Sequence, residues 1–363
     1  MTALFVLENL SNGGAQKVIS TIFPLVDRSL KPELIVLKRE QTYDLDLSDK
    51  RAVHRFDASR ILSSVPRLAW FLLKRRPKVV VSSIFFSDLV IYCLARIFSP
   101  SSKLVFRSCN YFSKAYPDRT KLLPRLVLRA YRGADIIICS TKAMRGDFIR
   151  LCPQLEEKIR VIPNPVNLEK IRRLSEQDSP AVGLTNNGKY TFVSVAKLKR
   201  QKNIGLLIDA FSRIADDHTQ LIIAGKGPEE EMLKAKISDL GLEEKVHFVG
   251  FVKNPYALLA QADCSVLSSE YEGFPNALIE AMAIGLPVIS TDCPSGPSEI
   301  ITNQLNGILT PVGDCQALAE AMLSVRNDRE LSQSLARKGQ LEVKRFEASV
   351  VSALLSNVIR ELS

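Results

Sequence analysis

Histidine is nearly missing from this chain: three among 363 residues, His54, His218 and His247. Any imidazole acid–base chemistry has only these three side chains to draw on. The seven cysteines (Cys93, Cys109, Cys139, Cys152, Cys264, Cys293 and Cys315) are scattered, odd in number and include no C-x-x-C pair. That speaks against a zinc site and a disulfide framework, and for a reducing compartment. The opening MTALFVLENL has no basic leader and reaches Glu8 after a short apolar run, which makes a poor signal peptide. No apolar run of membrane-spanning length is unbroken. The longest, 79–98, is interrupted by Asp88 and Arg96 and reads as a buried strand followed by a helix. Internal repeats, low-complexity tracts and the G-x-G-x-x-G dinucleotide fingerprint are absent, as are recognition-helix and aromatic RNA-binding signatures.

What is present is an ordinary globular composition, 46% hydrophobic and 24% charged, in a chain long enough to expect two domains. The net charge of +10 is divided unevenly. Residues 1–165 hold 28 Lys and Arg against 14 Asp and Glu, a net +14; residues 166–363 hold 21 against 25, a net −4. A basic first half points to an anionic partner, either nucleic acid or an anionic membrane surface.

Short β-branched runs alternate with helical patterns throughout. Strands are predicted at 3–7, 33–37, 53–56, 79–83, 104–107 and 136–140, then at 190–196, 220–224, 246–249, 264–267 and 288–290. Runs apolar on both faces and separated by helices indicate parallel sheets covered on both sides. Two such sets predict two doubly wound α/β domains, 1–165 and 166–345, joined near 161–167 (VIPNPVN). Ligands of open α/β sheets bind at the carboxyl ends of strands, so the site is expected in the cleft between the domains.

The most informative stretch is 270–290, EYEGFPNALIEAMAIGLPVIS. The turn Gly273-Phe274-Pro275-Asn276 opens a predicted helix, with Glu272 before it and Glu280 one turn inside. The first N–H groups of a helix lack partners and carry the positive end of its dipole, which suits phosphate or sugar oxygens. Pro275 fits near the first helical position. Two carboxylates add acceptors for sugar hydroxyls. Alone they prove little, because a carboxylate at a helix start is favoured by about 0.3–1 kcal/mol through the dipole itself.

Other segments strengthen the reading. Asn12-Gly13-Gly14 follows the first strand, and a Gly-Gly turn lets backbone amides approach a diphosphate or a sugar ring. After the first strand of the second domain comes Val195-Ala196-Lys197-Leu198-Lys199-Arg200-Gln201-Lys202-Asn203. Lys197 and Lys202 are placed to neutralise charge on a departing nucleoside diphosphate, a contribution of around 3–4 kcal/mol to transition-state stabilisation; a solvated basic loop would look much the same. Ala224-Gly225-Lys226-Gly227-Pro228-Glu229 is good turn chemistry with a structural reading of its own. Phe248 to Val252 ends a strand whose backbone could pair with a base edge, and Cys293-Pro294-Ser295-Gly296-Pro297-Ser298-Glu299 follows the strand after the Glu280 helix. Asp44-Leu45-Asp46 has a metal-binding D-x-D form but sits in a polar loop, and no metal or other cofactor is expected.

With GGAQKV, VAKLKRQKN, AGKGPEE, VGFV and EGFPNALIE in this order, the chain resembles the family 4 retaining glycosyltransferases of the GT-B fold. The run CPSGPSEII resembles the subset that builds bacterial lipid-linked oligosaccharides, O-antigens and capsules. The resemblance implies two Rossmann-like domains facing across a cleft, the first for the acceptor and the second for a nucleotide sugar. A last helix, within 346–363, would return to the first domain. It implies Glu280 on the ribose, Glu272 and the turn residues Gly273, Phe274, Pro275 and Asn276 on the donor sugar, and Gly13 and Gly14 beside the donor. Lys197 and Lys202 would hold the diphosphate, and Val252 would meet the base through its backbone. Two departures stand out. Lys197 occupies a place where the family usually has Arg, so a bidentate fork becomes a point charge. Where many members carry a histidine, this chain reads Arg107-Ser108-Cys109-Asn110, and Asn110 is the candidate acceptor-side contact.

The resulting expectation is metal-independent transfer, with retention, from a UDP-sugar to a polyprenyl-diphosphate-linked or other glycan acceptor. The protein would be cytoplasmic and peripheral on the inner face of the membrane, without nucleic-acid binding. Docking candidates are 67–78 (RLAWFLLKRRPK), with Trp70, Phe71, Leu72 and Leu73 either at the interface or in the core, and 114–132. Alternatives are a UDP-sugar 2-epimerase of the same architecture, disfavoured by the placement of the three histidines, and a basic nucleic-acid-binding protein.

Overall fold

The computed structural model describes residues 2–10, 14–39, 53–118, 120–178 and 188–362. It divides into two compact units, Met1–Pro165 with Phe346–Ser363, and Val166–Arg345. In the first, β1 (Ala3–Leu7), β2 (Glu33–Lys38), β3 (Val53–Ala58), β4 (Val79–Ser83), β5 (Lys103–Ser108), β6 (Ile136–Cys139) and β7 (Ile159–Val161) form a parallel sheet in the order β3-β2-β1-β4-β5-β6-β7.

Successive side chains of a strand point to opposite faces, and here both faces are apolar. Leu4 and Val6 enter one buried cluster with the helices Val65–Arg75, Phe85–Phe98, Leu122–Arg132 and Lys142–Leu151. Ala3, Phe5 and Leu7 enter another with the helix Gly14–Ile22. The helix Ala348–Arg360 adds Val351, Leu355, Val358 and Ile359 to that second cluster. The stretch 79–98 is a buried strand followed by a helix, and no helix among the described residues is long and apolar enough to cross a membrane.

In the second unit β8 (Tyr190–Val195), β9 (Thr219–Ala224), β10 (Val246–Gly250), β11 (Cys264–Leu267), β12 (Val288–Thr291) and β13 (Ile308–Thr310) are parallel in the order β10-β9-β8-β11-β12-β13. Both orders run outward from the first strand in one direction, then reverse. The reversal leaves a switch point between β1 and β4 in one sheet and between β8 and β11 in the other.

Sequence patterning missed β7 and β13. Each is a three-residue edge strand without the doubly apolar run that marks the interior strands. His54 falls in the strand predicted at 53–56, whose apolar ends suggest an interior position. β3 is instead an edge strand, and half-buried His54 Nε2 lies 2.9 Å from Glu33 Oε2.

Candidate active site

At the second unit's switch point two loops meet. One follows β8: Ala196 to Leu198, then a turn at Arg200–Lys202, then Asn203, whose side chain accepts from Leu206 N and caps the helix Ile204–Ser212. The other follows β11 and runs from Ser268 to the helix Asn276–Ile284. Backbone and side chain stitch them together. Glu270 N donates to Gln201 O at 2.8 Å, Gln201 Nε2 donates to Tyr271 O at 2.8 Å, and Ser268 Oγ donates to Lys202 O at 3.0 Å.

Lys202 and Glu272, assigned to different parts of a donor by the sequence resemblance, meet directly. Lys202 Nζ lies 2.5 Å from Glu272 Oε1, and Ser269 Oγ donates to the same oxygen at 2.6 Å. Glu272 is buried while Lys202 is partly exposed. Lys197 is exposed, and no ion pair joins it to another described residue. Desolvation where its side chain lies along the loop, then the charges of Lys199 and Lys202, hold its ammonium below the usual lysine range.

The turn Gly273-Phe274-Pro275 is buried, and Pro275 stands just before the helix rather than in its first position. Glu280 is buried on that helix, which ends at Gly285 in a left-handed conformation. The loop after β12 braces the turn from outside. Ser295 Oγ donates to Gly273 O at 2.8 Å, and a Cβ on Gly296 would fall 2.3 Å from Pro275 Cδ. The Gly225-Lys226-Gly227 loop braces Lys197 in the same way. Leu198 N donates to Lys226 O, and Gly225, at φ +153°, lies so close that a Cβ would fall 1.7 Å from Ala196 O. Ser268, Ser269, Gly225 and Gly296 are the residues that motif reading left without a role. The glycines had turn chemistry as a signal; the serines had none. Val252 lies two residues beyond the end of β10, partly exposed, with no backbone hydrogen bond to another described residue.

In the first unit Gly14 is exposed at the start of the helix Gly14–Ile22, and Gly13 lies outside the described residues. Asn110, half-buried after β5, spends its side-chain carbonyl on Tyr111 N at 2.9 Å. Ile84, between β4 and its helix, has φ +108°, a strained value for a β-branched residue. No group of three or more His, Cys, Asp or Glu among the described residues could hold a metal ion. Asp44 and Asp46 lie outside the described residues.

The family profile described as Glycosyl transferases group 1 matches residues 175–342, and that described as Glycosyltransferase Family 4 matches residues 23–170. Over 353 residues the chain is 27% identical to the N-acetylgalactosamine-N,N'-diacetylbacillosaminyl-diphospho-undecaprenol 4-alpha-N-acetylgalactosaminyltransferase of Campylobacter jejuni, spanning 93% of this chain and 94% of that one. It is 24% identical to the lipopolysaccharide core biosynthesis glycosyltransferase LpsD of Rhizobium meliloti, over 95% and 94% of the two chains. Anabaena HepE in complex with UDP and glucose matches with a TM-score of 0.83 at 20% identity, over 99% of this chain and all of that one, which is a likeness of fold.

Proposed function

The chain is a glycosyltransferase of the GT-B fold, related to the Family 4 and group 1 glycosyltransferases, and from that premise we propose that it moves a hexose or N-acetylhexosamine from a UDP-sugar to a lipid-linked saccharide during cell-surface glycan assembly. The observation that carries this reading is the meeting, at one switch point, of the loop that bears Lys197 and Lys202 with the loop that leads into the Glu280 helix, through Lys202 and Glu272. Lys197 and Lys202 take the diphosphate, Glu280 the ribose hydroxyls, and Glu272 with Gly273, Phe274, Pro275 and Asn276 the sugar. The backbone of Val252 takes the base. Gly13 and Gly14 are assigned to the donor, and Asn110 to the acceptor, through the amide end that Tyr111 leaves over.

In the proposed step the acceptor hydroxyl oxygen bonds to the anomeric carbon on the face from which the diphosphate departs. The bond from that carbon to the diphosphate oxygen breaks, and the hydroxyl proton passes to the departing diphosphate. Configuration is retained without a carboxylate nucleophile or a metal. Two cations on the leaving group supply the electrostatic stabilisation.

The acceptor's lipid places the reaction at a membrane, and the first unit offers a surface for it. On the helix Val65–Arg75, Phe71 and Leu72 belong to the core, whereas Trp70 and Leu73 are 60% and 49% exposed beside Lys74 and Arg75. On the helix Leu122–Arg132, Leu122, Leu123 and Leu126 are exposed among Arg125, Arg129 and Arg132. Exposed apolar side chains interleaved with cations suit the headgroup region of an anionic leaflet. The Campylobacter relative, named for a diphospho-undecaprenol acceptor, supports the same placement.

A donor-hydrolysis and binding screen over UDP- and GDP-sugars tests the reading, repeated with Glu280→Ala. A charge-assisted hydrogen bond contributes about 1.5–3 kcal/mol, so this variant should lose at least about tenfold in donor affinity. Unchanged affinity in the folded variant removes Glu280 from the ribose.

A further inference from the structure

Two serines that no motif flags occupy the centre of the stitched loops. Ser268 and Ser269 are both buried and follow β11 directly. Ser268 Oγ holds the main chain of Lys202 through its carbonyl oxygen, and Ser269 Oγ holds the carboxylate to which the head of Lys202 is bound. Ser269 is itself fixed by Thr291 Oγ1, which donates to Ser269 O at 2.6 Å from the end of β12. One strand end therefore governs both ends of the same lysine.

The arrangement matters because Glu272 Oε1 has two donors, the ammonium of Lys202 and the hydroxyl of Ser269. A diphosphate arriving at Lys202 competes with Glu272 for the ammonium. A buried carboxylate left with no donor would be strongly disfavoured, and the ammonium would be retained. The Ser269 hydroxyl stays on Oε1 whichever way the lysine turns. It holds Glu272 in place while Lys202 transfers its contact to the ligand.

Resting on the donor-site reading above, we propose that Ser268 and Ser269 are positioning residues that act on the donor through Lys202, with Ser269 the hydroxyl that lets Lys202 exchange Glu272 for a diphosphate. Neither serine need touch the donor.

The test titrates UDP, and GDP in parallel, into the full chain as wild type, Ser269→Ala, Lys202→Met and the double variant, with folding of each checked by its unfolding transition. Ser269→Ala is expected to weaken binding about tenfold. In the Lys202→Met background the same change is expected to cost less than about twofold, because the residue through which it acts is gone. Ser268→Ala should weaken binding by about threefold, the loss of one neutral hydrogen bond. Equal losses from Ser269→Ala in both backgrounds would show a general structural role and overturn the assignment. Unaltered affinity in folded Ser269→Ala would do the same while leaving the donor site standing. A wild type that binds neither diphosphate removes the donor-site reading, and this assignment with it.

Discussion

Asp88 is a carboxylate that the proposed reaction does not use, and its burial makes a sharp prediction. It sits in the first turn of the helix Phe85–Phe98 with no exposed surface. Tyr131 OH donates to Oδ2 at 2.7 Å, while Oδ1 has no partner among the described residues. The surroundings are aromatic: Tyr131 stacks on Phe148 at 5.2 Å and leans against Phe85 and Phe106. Burial pushes the Asp88 carboxyl from 3.8 up to about 7, and the Tyr131 hydroxyl offsets only part of that. The native state then binds this proton more tightly than the unfolded chain does. Its contribution to stability is complete below pH 3.8 and is lost as pH rises through about 7.

Between pH 5 and pH 8 the loss amounts to about 3 kcal/mol, from two pH units of titration at about 1.4 kcal/mol each. Asp88→Asn keeps an acceptor for Tyr131 and cannot titrate. Urea unfolding followed by fluorescence of Trp70, the chain's one tryptophan, reports on the first unit. Wild-type stability should fall by about 3 kcal/mol relative to the variant across that interval. Parallel pH profiles would refute the argument, because every other titrating group is common to both proteins.

Gly225→Ala should destabilise the second unit by more than about 2 kcal/mol and weaken UDP binding, since the new methyl meets the backbone oxygen of Ala196, the residue before Lys197. Gly188→Ala, also at positive φ but in open space, is the control and should cost about 1 kcal/mol; equal melting temperatures for the two would refute the packing argument. The full chain should float with anionic vesicles at low salt and less so at high salt, each Lys or Arg near the surface adding roughly 1 kcal/mol, and Arg125→Glu with Arg129→Glu should weaken that binding. Absence of salt-sensitive flotation removes the membrane proposal. Transfer should proceed undiminished in excess chelator, whereas loss of activity restored by manganese would overturn the metal-free step and turn attention to Asp44 and Asp46.

Much of the fold was legible because interior strands of a parallel sheet are apolar on both faces. Runs such as 79–83 and 264–267 therefore stand out without any partner in view. β7 and β13 did not stand out, because an edge strand of three residues buries one side and carries no such run. The helix at 65–75 shows the same limit. Trp70, Phe71, Leu72 and Leu73 are equally apolar as letters, and only the angle at which the helix meets its neighbours sends Phe71 and Leu72 inward and Trp70 and Leu73 outward.

The sequence by itself determined the chemistry available: two lysines after one strand, two glutamates around a Gly-Phe-Pro turn after another, and almost no histidine. Residue type and spacing carry that information, because charge and turn propensity are local properties. Tertiary structure alone decided the pairings. β8 and β11 lie side by side although some seventy residues separate their loops, and this adjacency joins Lys202 to Glu272, the carboxylate that Ser269 also holds. No local pattern encodes that contact, since it is created by the order in which strands pack into the sheet.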